Sequence, residues 1–108
     1  MSSVNAGVLE KQPGEDLIFY FDFDKLLSSG ETLTGTPTVT GSPSGLTIAS
    51  PTIVSSDTTA LGKSVLANRA VQVRISGGTD GTSYTLECSC GTSASNTREL
   101  DGTLTIVD

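Results

Sequence analysis

The chain has 108 residues, 35% of them hydrophobic and 17% charged, with a formal net charge of −6. That is one domain with enough apolar side chain to close one core. Six Lys and Arg, scattered along the chain, cannot build the basic field that nucleic-acid binding draws on, and no apolar run approaches the ~20 residues of a spanning helix. Neither nucleic acid nor membrane is an expected partner.

The sequence has no His, which removes the side chain best suited to proton transfer near neutral pH and the commonest metal ligand. No other catalytic constellation takes its place. No G-x-S-x-G nucleophile motif occurs among the many Ser and Thr. The expectation is a protein that is not an enzyme and holds no cofactor and no metal.

Residues 1–14 are polar, include Gly7, Pro13 and Gly14, and show no period, so they read as a flexible N-terminal arm. The start shows no basic segment leading into an apolar stretch, and no secretory signal is expected. Within the arm, Val4, Val8 and Leu9 form a small apolar set suited to docking on a neighbouring subunit by strand addition. From Leu17 the pattern alternates, with Leu17, Phe19, Phe21 and Phe23 on one face and Ile18, Tyr20, Asp22 and Asp24 on the other. This period of two predicts the first strand of a domain over residues 15–108. Residues 24–30 are short enough for a single helical turn that stops at Gly30.

Between residues 32 and 40 every even position is Thr, which predicts a second strand, and Pro37 within it demands an edge, a bulge or a break. Residues 41–45 read as a turn. Leu46 and Ile48, then Ile53 and Val54, suggest one or two strands interrupted by Pro51, followed by a loop to residue 62 and a short edge strand from Lys63 to Leu66. Val71, Val73 and Ile75 alternate with Gln72 and Arg74 and lead into a Gly-rich turn. Tyr84, Leu86, Cys88 and Cys90 alternate with polar residues, and Leu104 and Ile106 close the chain. About seven short strands with regular turn signals predict an all-β, antiparallel, immunoglobulin-like β-sandwich.

The run from Val71 to Leu86, with Phe21-Asp22-Phe23 through Leu27 and Gly30-Glu31-Thr32 upstream, resembles small immunoglobulin-like structural proteins of tailed bacteriophages and prophages, some of the fibre–tail adaptor type. The likeness extends over roughly residues 17–108 and is sharpest over residues 76–86. It implies a virion protein, assembled in the bacterial cytoplasm, whose partners are other virion structural proteins in a homo- or hetero-oligomeric assembly. Attachment at the neck, the tail or fibre, or the capsid surface would be its work. The alternative is a carbohydrate-binding or adhesion module. Such sites display exposed aromatic residues, and the few present here, Phe19, Tyr20, Phe21, Phe23 and Tyr84, look committed to the core.

Val71, Val73, Ile75, Tyr84 and Leu86 are the expected interior. Asp80, four residues before Tyr84, fits a tyrosine corner, in which the phenol bonds back to the preceding loop; an ordinary core Tyr beside a hairpin is the plainer reading. Cys88 and Cys90 share Tyr84's parity and point inward. Two strand rises, about 6.6–6.8 Å, are the far limit for a disulfide, so the choice lies between reduced core thiols and bridging across an interface. Glu15, Asp16, Asp22 and Asp24 lack a calcium-loop spacing and read as solvated charges. Residues 77–81 lack the Lys and the following helix of a phosphate cradle and read as a hairpin turn.

Overall fold

A computed structural model describes residues 3–4, 8–60 and 63–108, with side chains for residues 10–59 and 64–108. Within it, the inward parity of four strands decides the architecture. β3 (Leu17–Asp22) buries Phe19 and Phe21, and β9 (Ala70–Gly77) buries Val71, Val73 and Ile75. The two pair antiparallel, Phe19 opposite Val73. β10 (Ser83–Thr92) buries Tyr84, Leu86, Cys88 and Cys90, and β11 (Thr97–Ile106) buries Leu104 and Ile106, Tyr84 lying opposite Leu104. All of these side chains meet in one apolar cluster with Phe23, Leu27 and Leu33, so the two sheets pack face to face. The chain is all-β and sandwich-like, and among the described residues the only helical element is a 3-10 turn over Asp24–Leu26.

β4 (Leu33–Ser42) flanks β10 and forms one edge of the second sheet, β4-β10-β11-β2, where β2 is Val8–Lys11. The first sheet carries β1 (Ser3–Val4) beside β3, and β5 (Leu46–Ile48) and β6 (Thr52–Ile53) along the far side of β9. A separate hairpin, β7 (Thr58–Ala60) with β8 (Lys63–Val65), covers a second small cluster of Val54, Val65, Ala70 and Tyr20.

Pro37 sits in a strand that is both an edge and bulged. Between Ser89 and Gly91 of β10 the partner on β4 moves from Thr38 to Thr34, so residues 35–37 loop out of the ladder. Gly35 in that excursion has φ 78°, a conformation that a side chain would strain.

Eleven strands are described where about seven were expected. Pro51 divides one predicted strand region into β5 and β6, the predicted loop before Lys63 contains β7, and the N-terminal segment supplies two more. The first half of β11 shows no clear apolar period because Leu100 alone of its side chains packs against the core: Thr97, Arg98, Glu99 and Asp101 are all exposed.

The division at residue 14 does not follow the strand pairing. β1 pairs parallel with β3, and β2 pairs parallel with β11, Val8 opposite Thr103 and Leu9 opposite Leu104. The sheets are therefore mixed rather than purely antiparallel. Lys11 is buried, its carbonyl accepts the Val107 amide at 2.9 Å, and its ammonium caps the carbonyl of Gln12 at 2.8 Å. Strands of two and four residues are too short to display a period, so composition alone made this segment look like a free arm. The side chains of Val4, Val8 and Leu9 lie outside the described residues.

Cys88 and Cys90 are free thiols, both buried; burial pushes the Cys88 thiol up to about 12 and raises that of Cys90. Neither is a thiolate at neutral pH. In the native protein both should therefore resist alkylation, and label only on denaturation; modification of the native state within minutes would place them in an opening part of the sandwich. Deleting residues 2–11 removes β2 and the Lys11 contacts, and should lower the melting temperature by several degrees. An unchanged melting curve would show that these pairings contribute nothing to the isolated domain.

Candidate docking end of the sandwich

Three connections gather at one end of the two sheets: residues 23–32 between β3 and β4, residues 66–69 before β9, and residues 93–96 between β10 and β11. Backbone bonds join them. Phe23 donates to the Arg69 carbonyl at 2.9 Å, Leu33 to the Asn68 carbonyl at 2.8 Å, and Ser93 to the Thr32 carbonyl at 2.8 Å. Thr32 in turn donates to Ser93 Oγ at 3.0 Å.

Arg69 is the hub. Its side chain is only 17% exposed, and the guanidinium forms an ion pair with the Asp24 carboxylate. It also donates to the carbonyls of Glu31 at 2.6 Å, Asp24 at 3.1 Å and Leu27 at 3.4 Å. A planar fork with five donors suits such a set of converging oxygens in a way that an ammonium does not. The residues 24–31 connection has no core of its own beyond Leu27, so these bonds hold its shape.

Glu31 is the second fixed point, at 6% exposure. Its Oε1 accepts the Ser28 amide at 2.8 Å, while the Glu31 amide donates to the Ser28 carbonyl at 3.0 Å. Its Oε2 is buried with no hydrogen-bond partner. Thr92 first, then the Ser28 amide, holds the carboxyl below its ordinary value. Thr92 is itself buried and organises the β10–β11 turn: its hydroxyl oxygen accepts the amides of Ala94 at 3.2 Å and Asn96 at 3.3 Å.

On this scaffold the outer residues are displayed. Leu26 and Leu66 are 37% and 40% exposed, two of the four exposed large hydrophobics among the described residues. Ser28, Ser29 and Gly30 and the whole turn from Ser93 to Asn96 are exposed beside them. Asn68 (φ 63°) and Ser95 (φ 64°) are the described non-glycine residues with left-handed backbone, and both lie here. Side chains are uncommon in that region and are held there by their surroundings.

The residues singled out from the sequence lie elsewhere. Val71, Val73, Ile75, Tyr84, Leu86, Cys88 and Cys90 are buried between the sheets. Tyr84 stands at the opposite end of β10, where its hydroxyl accepts the Thr79 amide at 3.1 Å. A Cβ on Gly45 would lie 2.9 Å from that hydroxyl, so the close approach requires glycine. Asp80 does not bond to Tyr84; its Oδ1 accepts the Asp108 amide at 3.1 Å. Phe19, Phe21, Phe23 and Tyr84 are consumed by the core and Tyr20 is half-buried, so the described aromatic residues form no exposed platform. Arg69, Glu31, Leu26 and Leu66 were missed. Two signals for them were present: the spacing Ser28-x-x-Glu31 of a capping box, and the pair Leu26-Leu27, of which only one can face the core.

A shallow groove of about 390 Å³ crosses the outer face of the first sheet beside Ile18, where β5 gives way to β6. Its one charged wall, Arg74, is paired with Asp16 at 3.4 Å. It brings together no set of titratable groups. Among the described residues no three His, Cys, Asp or Glu side chains are placed to hold a metal ion, and no helix is long and apolar enough to cross a membrane.

Residues 11–107 match the family described as podophage GP4 fiber-tail adaptor protein gp77. No curated protein matches the chain.

Replacing Arg69 with Ala strands several carbonyls and the Asp24 carboxylate. It should cost about 1.5–3 kcal/mol in urea unfolding, with Lys restoring only part of the loss. A cost below about 0.5 kcal/mol, the ordinary surface value, would show that the guanidinium does not hold these connections together.

Proposed function

The chain belongs to the podophage fibre–tail adaptor family gp77 and is a phage structural protein, and on that premise we propose that it is a non-catalytic attachment module whose docking surface is the Arg69 end of the sandwich. One observation carries the choice of surface. Two of the three connections are cross-braced by one mostly buried guanidinium, the third is tied to them through Thr32 and Ser93, and the side chains left outside the brace include Leu26 and Leu66. A rigid frame presenting apolar anchors in a polar surround loses little entropy on binding, which is what a permanent attachment needs. The partner is another structural protein of the tail or fibre, and the place of action is the virion. Repetition around a symmetric particle multiplies modest contacts into firm attachment.

The same proposal assigns the sandwich to the immunoglobulin type. In support, β2 runs parallel to β11 in the β4-β10-β11-β2 sheet, facing the sheet built on β3 and β9. Tyr84, at the start of the penultimate strand, bonds back to the corner that precedes it, as a tyrosine corner does. In such folds the connections that share an end with residues 23–32 and 93–96 are the ones most used for recognition.

The test is a double substitution, Leu26→Asp with Leu66→Asp, in a phage whose own copy of the gene is deleted and supplied in trans. Both side chains are already partly in water, so the melting temperature should move little. The amount of the chain recovered in purified particles should fall by about tenfold or more, the loss expected when anchors worth roughly 1.4 kcal/mol together are removed. Full incorporation of a folded double variant would move the docking surface elsewhere.

A further inference from the structure

Arg69 accounts for how residues 23–32 are held against β9, but not for how residues 93–96 are held against residues 23–32. Thr92 stands opposite Leu33 and Ser93 is bonded to Thr32, so two buried polar side chains, Glu31 and Thr92, lie at this junction. Both amides that Thr92 Oγ1 can accept, from Ala94 and Asn96, are in place. Thr92 is 5% exposed, and what its hydroxyl has left to place is its proton. On the other side, Glu31 Oε2 is buried and has no hydrogen-bond partner, while Oε1 is taken by the Ser28 amide at 2.8 Å. The carboxylate therefore offers two acceptors to two connections.

We propose that Glu31 is the positioning residue of the docking end: it bridges residues 28–31 to the Thr92 turn and so sets where residues 93–96 stand relative to Leu26. The inference deepens the docking reading above and rests on it for its functional half. A carboxylate is needed rather than its amide, because Gln supplies one acceptor where two donors converge and turns an N–H toward the hydroxyl. Without the bridge the β10–β11 turn keeps its own internal bonds and the ties between Thr32 and Ser93, but it is free to swing on them. The charged groups around Glu31 are Arg98 on β11, Arg69 from the segment before β9 and, through Arg69, Asp24 on the 3-10 turn.

The test compares wild type with Glu31→Gln by the pH dependence of the backbone amide signals of residues 93–96, alongside incorporation into purified particles. Glu31 is held below its ordinary value of 4.5, so the bridge is intact above that pH and is lost as pH falls through the lower folded value. In wild type the amides of residues 93–96 should move with that transition. In Glu31→Gln they should start from the displaced position and show no such transition, while the melting curve stays cooperative. Incorporation should fall about two- to tenfold, the effect of having to order a loosened turn on binding. Amides that titrate in the variant as in wild type would be reporting a group other than Glu31, and would overturn the bridge. A bridge that breaks as described with incorporation unchanged would leave the positioning role standing and sink the docking reading instead. If the variant does not fold, the wild-type titration decides alone: no transition in residues 93–96 overturns the proposal.

Discussion

Every feature of this domain depends on a single layer of inward side chains contributed by β3, β9, β10 and β11. Each of these strands turns one face to the other sheet, and the alternation of Phe19 and Phe21, Val71, Val73 and Ile75, Tyr84, Leu86, Cys88 and Cys90, and Leu104 and Ile106 is the physical requirement of that arrangement. A strand of period two cannot slip by one residue without exchanging buried for exposed side chains, so the register of both sheets follows from burial. The buried thiols belong to this layer and take their chemistry from it. Desolvation keeps them protonated, which makes them small apolar side chains rather than reactive groups.

The same layer leaves the two ends of the sandwich without apolar cover, and the ends are closed by different means. At the Tyr84 end, an aromatic ring reaches out of the core and its hydroxyl takes the Thr79 amide, with Gly45 allowing the approach. At the opposite end the ring of Phe23 is buried in the core and has no hydroxyl to bond to the loops. There the connections are short of core contacts and are braced by polar groups, with Arg69 at the centre and Glu31 beside it. A polar brace of this kind is costly if incomplete, because each stranded carbonyl or carboxylate loses its hydration without return. Completed, it gives a rigid rim on which apolar residues can stay outside without collapsing inward. Rigid display is the property on which the proposed docking role of this end rests.

The edges matter for the same reason. β4 ends one sheet, and its outward bulge at residues 35–37 keeps a ten-residue strand from offering a flat ladder to other chains. β2 covers the edge of β11 at the opposite side. With one margin bulged and the other a strand of four residues, an end of the sandwich is a more specific contact surface than a long open strand, which would accept any extended segment.

The sequence by itself determined the fold class, the core and the family resemblance, because each is written in local pattern. The alternation at residues 17–23, 71–75 and 84–90 reports burial directly, and the absence of His and of clustered cations bears on chemistry without any coordinates. Even Pro37 carried its message, since a residue without an amide proton belongs at an edge or a bulge. What only the tertiary structure decided were the features that rest on contacts between distant segments too short or too polar to show a period. β1 and β2 are invisible as strands because two and four residues pair with edges supplied more than ten residues away. The first half of β11 is a strand chiefly through pairing, with Leu100 alone turned to the core and no repeat to pattern it. Arg69 looks like any scattered cation until the fold brings Asp24, Leu27 and Glu31, some forty residues upstream, within reach of one guanidinium. A hydrophobic face must repeat to be buried and so leaves a trace in one dimension. A polar brace needs each partner only once, and it leaves none.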